Sequence, residues 1–305
     1  MGNCTLRDDN VQEVWCCLNK NFDRISFRVK IDFDQYLAYQ KFLEHLWEKF
    51  IFYRDKDEKA TLRYEIKHWV VKGAPNRIVK ELIELIFPIS KKECLELYES
   101  MQKKINESGI FEAEAEVFQE NLFFLTEEGK IAFRRLEFLV KYVLDIEYME
   151  VFDKVLQLML WFFPEHEAYA LAEALIKTDI TSIKNFHGYF LRSNEEKHDI
   201  ITKLTEKLCE TGANKKLCMK ILHEMVDGLF SGYLLPFYYP YVLINFFFDG
   251  FEAIFRTAYS LFSLINYEEM TSSGQIRSEI QNKFSYVNFI SIYENVNLEV
   301  IFSKL

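Results

Sequence analysis

Glycine and proline are scarce, ten and five among 305 residues. A many-turned β protein needs more backbone breakers, so this scarcity beside 28% charged residues points to long helices. Cysteine is thin as well, with six at positions 4, 16, 17, 94, 209 and 218. They are too few and too scattered for a disulfide framework, and no apolar signal segment follows Met1, so a reducing cytoplasmic setting is expected. Cys209, Cys218 and His223 lie loosely along one region, where core thiols are the plainer reading and a zinc site the alternative. The six histidines are dispersed, and none is paired at i, i+4. Positive charge is in deficit: the net charge is −10 and the pI is near 5.3, which argues against a nucleic-acid partner. Neither a Walker-type loop nor a G-x-G-x-x-G after a strand occurs, and GLFSGY at 228–233 lacks the spacing of a nucleophile elbow. No cofactor, no metal and no self-contained active site are therefore expected.

What is abundant is apolar. Half the chain is hydrophobic, with 29 Phe and 17 Tyr, enough to fill one large domain or two lobes. Residues 24–33 alternate strictly, Ile25, Phe27, Val29, Ile31 and Phe33 against Arg24, Ser26, Arg28, Lys30 and Asp32, which predicts a strand, with VWCCLNKNFD before it as a hairpin partner. From about residue 34 the period becomes helical. Ser90 with Glu93 and Ser193 with Glu196 have the spacing of capping boxes. Ala132, Leu136, Leu139, Val140 and Val143 share one face of an amphipathic helix, and residues 155–163, apolar nearly all round, predict a central helix that ends at Pro164. The last thirty residues are β-branched and aromatic and are expected to end in strand or extended structure. At the other end, Gly2 after Met1 is a myristoylation signal and Cys4 a palmitoylation candidate, although Leu6 stands where Ser or Thr is preferred.

FFFDGFEAIFRTAYSLF (246–262) fails as a membrane span, because Asp249, Glu252 and Arg256 fall within it and the uncharged run before it contains Pro236 and Pro240. It reads as a buried helix in which Gly250 permits close approach and Ala253, Ile254 or Phe255, Ala258 and Leu261 face neighbours. A cation in so apolar a segment needs a defined partner, which makes Arg256 a candidate functional residue.

Three segments in order resemble the TBC domain, the all-helical module of Rab GTPase-activating proteins. KGAPNRIVKELIELI (72–86) is similar to its K-G-I-P opening through Lys72, Gly73, Pro75 and Arg77. FRRLEFLVKYVLDIEYMEVFDKVLQLML (133–160) resembles its helix, Y-x-Q turn and following helix. The stretch 229–265 resembles its L-F, L-P, D-x-F-x-x-E-G and apolar-Arg run through Leu229, Phe230, Leu235, Pro236, Phe248, Gly250 and Arg256, with Asp249 as the acid before glycine. The Skywalker-like members are closest in character. The resemblance implies a mainly α, two-lobed domain over 62–270, with an N-terminal extension over 1–60 carrying the strand or hairpin and a helix. A C-terminal extension, with a possible further β element, follows over 271–305.

It also implies a chemistry, and a departure from it. A TBC domain inserts an arginine, from I-x-x-D-x-x-R, to neutralise charge developing on the phosphates, and a glutamine, from Y-x-Q, to position the attacking water. Here the first motif falls on Val117, Glu120 and Phe123, and the second on Tyr148-Met149-Glu150. Phenylalanine carries no charge, and a glutamate facing a phosphate is repelled and cannot donate. The neighbouring Arg134 and Arg135 sit where the family's basic residue is structural. The resemblance therefore implies a catalytically degenerate, GAP-like module for vesicle trafficking, with a small GTPase of the Rab or Arf type, a phosphoinositide headgroup or both as partners, and with peripheral membrane contact. Arg63 and Lys67 (i, i+4), Arg77 and Arg256 are the candidate ligand-binding cations, although Arg63 and Lys67 could equally pair with nearby acids such as Glu58 and Glu65. An atypical active Rab GAP and a scaffold subunit of a larger assembly are the alternatives.

Overall fold

The structure is a computed structural model and describes residues 37–48, 66–108, 125–144, 146, 151–177, 193–209, 214–235, 238–266 and 270–298. The expected strand at 24–33, Gly2 and Cys4 lie outside these residues. Among them the chain is helical, and the only bridge outside a helix for which both partners are described joins Ser231 to Leu234. The described residues fall into two compact units, one between 76 and 177, the other from 37 to 75 together with 193 to 298.

The first unit opens with a 3-10 turn, Asn76–Ile78, which leads into α1 (Val79–Ile86). It continues with α2 (Lys91–Ser108), α3 (Glu127–Val143), α4 (Phe152–Met159) and α5 (Glu165–Lys177). Thr126 caps α3 by accepting from the Gly129 backbone N–H at 3.0 Å, and Glu127 and Glu128 in the first turn face the positive end of the helix dipole. The face expected for this helix is the buried one at Ala132, Leu136, Leu139 and Val140, but Val143, in the last turn, is 38% exposed. Every residue of α4 except Lys154 is buried, in keeping with its apolar sequence. The α-helix stops at Met159, short of Pro164; residues 160–163 tighten into turns, with Trp161 N–H reaching Leu158 and Phe162 N–H reaching Met159.

The second unit holds helical residues 37–48 and 66–71. It also holds α6 (Asn194–Leu208), α7 (Lys215–Asp227), α8 (Tyr239–Asp249), α9 (Phe251–Phe262), α10 (Ser273–Lys283) and α11 (Tyr286–Asn295). Ser193 caps α6 by accepting from Glu196 N–H, half of the reciprocal capping arrangement. The stretch 246–262 is two helices, not one. Gly250 takes φ 60°, ψ −141°, a region that only glycine enters freely, and it turns the chain from α8 into α9. Ala253, Ile254, Phe255, Ala258 and Leu261 are all inaccessible.

The C-terminal β element is corrected over the described residues, while 299–305 lie outside them. Residues 273–295 form α10 and α11, with Ile276 and Ile280, and Phe289, Ile290 and Tyr293, buried at helical spacing. Burial at i, i+4 outweighs the strand preference of β-branched and aromatic residues when a helix face has a core to meet.

Candidate functional site

In the second unit the K-G-x-P turn is held by three aromatic side chains on three consecutive carbonyls. Tyr241 Oη donates to the Val71 carbonyl at 2.8 Å, Tyr39 Oη to Lys72 at 2.8 Å, and Trp47 Nε1 to Gly73 at 2.9 Å. Burial, with Glu294 adding to it, pushes the Tyr39 hydroxyl up to about 12, so it stays a donor. Gly73, at φ 108°, supplies a backbone conformation that a side chain would strain. The L-F pair is strained in the same sense: Leu229 (φ 41°) and Phe230 (φ 64°) are both buried and left-handed, with Phe230 N–H reaching back to Met225 O at 2.7 Å.

Arg256 sits one turn into α9, and its expected partner proves to be double. Nη2 pairs with Glu252 on the preceding turn of α9, and Nη1 reaches Asp249 Oδ2, the last residue of α8, at 3.4 Å. Its guanidinium lies over the Tyr293 ring of α11, 5.2 Å from the centroid. Lys67 pairs with the other Asp249 oxygen, so the acid it finds is a buried one and not an exposed neighbour. The side chains of Arg256, Glu252 and Asp249 are 14%, 5% and 0% exposed, against 39% for Lys67. Burial holds the Glu252 carboxyl above its ordinary range, although Arg256 works against that. Two cations thus meet two carboxylates, and the group is neutral as a whole. Such a set joins α8, α9 and α11 and ties in the helical residues at 66–71. An anionic ligand would need Lys67 and Arg256 to leave Asp249 and Glu252, exposing buried carboxylates to its charge.

Of the candidate cations, then, Lys67 and Arg256 are brought together on one aspartate. Arg77 is exposed in the 3-10 turn of the first unit. Arg63 lies outside the described residues, as do Val117, Glu120, Phe123, Tyr148 and Glu150. Arg135 has a partner of its own in the first unit: Nε and Nη2 donate to the two oxygens of Glu165 at 2.8 and 2.5 Å, a two-pronged pair, while Tyr98 Oη donates to Glu165 Oε1. Burial raises the Glu165 carboxyl to about 8. Tyr293 and the aromatic donors of the 71–73 turn carried no sequence signal, since each is one aromatic among many. The Glu252–Arg256 spacing of four did carry one.

No protein-family model and no curated protein matches the sequence. A solved structure does: the TBC domain of a flagellar RabGAP from Chlamydomonas superposes with a TM-score of 0.53 at 16% identity, over 83% of this chain and 89% of the other. At that identity the likeness concerns the fold, and the chain has the all-helical fold of a TBC domain.

Proposed function

We propose that this chain is a binding module for a small GTPase of the Rab type that does not accelerate GTP hydrolysis. The reading is carried by residue identity at the two finger positions, Phe123 for the arginine and Glu150 for the glutamine, in a chain with the TBC fold. An inserted arginine stabilises transition-state charge by a factor of about 10³–10⁵, and neither an aromatic ring nor a carboxylate supplies that. Arg135 is occupied by Glu165, which weighs against its replacing the missing cation. A GTPase surface is favoured over a lipid headgroup as the partner because Lys67 and Arg256 are already neutralised by Asp249 and Glu252. Membrane proximity in vesicle trafficking would come instead from acylation at Gly2 and Cys4, which Gly2→Ala would abolish in a fractionation assay.

The test is a panel of GTP-loaded Rab proteins, measured for binding and for hydrolysis with and without the chain. Nucleotide-dependent binding with an unchanged hydrolysis rate is the expected result. Acceleration that disappears in Glu150→Ala would overturn the proposal in favour of an atypical active GAP. Binding to no GTPase would leave the scaffold alternative.

A further inference from the structure

We propose that His198 and His223 form a surface site for a borderline divalent transition-metal cation, with Zn2+ as its redox-inert representative. His198 lies in the second turn of α6 and His223 in the penultimate turn of α7. Their Nδ1 and Nε2 atoms face each other at 3.2 Å in an exposed setting, with the ring planes 21° apart. Two nitrogens bound tetrahedrally to one cation at about 2.0–2.1 Å stand roughly 3.3–3.4 Å apart, the edge of the tetrahedron. The pair is therefore already at the separation of two ligands of one ion. To ligate, the two rings turn so that both lone pairs meet at one point, the N–H···N hydrogen bond is given up, and the ring that donated takes its other tautomer.

The scaffold beneath the pair is fixed. α6 and α7 pack on each other and bury Ile200, Ile201 and Leu204 from one and Ile221, Leu222 and Met225 from the other. Beside the histidines, buried Lys197 crosses to Asp227 at 2.7 Å, one residue before His198 and one turn after His223. That ion pair helps to fix the register between the helices, so the backbones carrying the two histidines need not reorganise on binding. Among the described residues no group of three or more His, Cys, Asp or Glu gathers around a common point. Two protein ligands thus leave the other positions to water, which makes the site open and reversible, unlike a closed structural zinc centre. Cys209 and Cys218 are buried thiols whose pKa values burial pushes up, so they remain protonated core residues. Paired imidazoles select zinc, copper or nickel over magnesium and calcium. Occupancy would pin α6 to α7.

The test uses the full chain, titrated near neutral pH with ZnCl2 and, separately, MgCl2, and read by calorimetry and by thermal unfolding. One Zn2+ per chain, no response to Mg2+, and a Zn2+-dependent rise in Tm reversed by chelator are expected. His198→Ala and His223→Ala should each weaken binding by about tenfold or more while keeping the wild-type helical circular dichroism. Both positions lie on the surface side of their helices, so folding should survive, and His223→Gln serves as a second variant if the alanine does not fold. No Zn2+ binding, or equal binding by wild type and both single variants, would overturn the site.

Discussion

Two arginines enter apolar helices in this molecule, and they are held in opposite ways. Arg135 in the first unit is half-exposed, and its fork meets one carboxylate, Glu165, in a geometry that satisfies both oxygens. Arg256 in the second unit is nearly buried and is shared between Asp249 and Glu252, with its Nε left without a hydrogen-bond partner among the described residues. The first is a good hydrogen-bond pair that water can partly replace. The second is a balance of charges in which both carboxylates are buried from water. Removing one partner should therefore matter far more in the second unit than in the first, although both look alike as an Arg near an acid in sequence.

The largest effect is expected for Arg256→Ala, which leaves two buried carboxylates facing each other with Lys67 alone to offset them. A loss of about 3–5 kcal/mol in chemical unfolding is expected. A loss no larger than that of Arg135→Ala would erase the contrast. Arg135→Ala should cost about 2 kcal/mol, because Glu165 keeps the Tyr98 hydroxyl and gains access to water.

The next prediction is a pH dependence in the first unit. Burial, with the charge of Asp153 adding to it and Lys154 and Lys141 opposing, raises the Glu137 carboxyl to about 7. The folded state then holds this proton more tightly than the unfolded chain does. Its contribution to stability is full below the ordinary carboxylate range and is lost as pH rises through about 7. Glu137→Gln, with no proton to lose, should be about 1–2 kcal/mol more stable than wild type near pH 8 and little different in mild acid, as measured by Tm against pH. A parallel pair of curves would show that Glu137 is not the titrating group. The smallest effect is expected for Tyr39→Phe, which orphans the Lys72 carbonyl and should cost about 1 kcal/mol without altering the fold. If it also weakens GTPase binding, the 71–73 turn belongs to the partner surface and not merely to the core.

Much of the helical architecture was legible because its signals are local. The face of α3, the all-round burial of α4 and the Ser193 cap follow from spacing along one helix. Within the candidate site, Glu252 and Arg256 at i, i+4 were equally readable. The other side chains were not. Lys67 meets Asp249, and Tyr39, Trp47 and Tyr241 meet the 71–73 carbonyls, across separations that no periodicity marks. The His198–His223 pair is hidden for the same reason, since its members are 25 residues apart on different helices. At 273–295 the local signal pointed the wrong way, because composition favoured strand while the core offered a face to a helix.

By itself, then, the amino-acid order determined that the chain is mainly helical, that 246–262 is buried, and that the finger positions implied by the TBC resemblance hold Phe123 and Glu150. Only the tertiary structure decided what Arg256 does. A guanidinium's role depends on which carboxylates lie within a few ångströms and on how much water is left between them, and both are set by how α8, α9 and α11 pack.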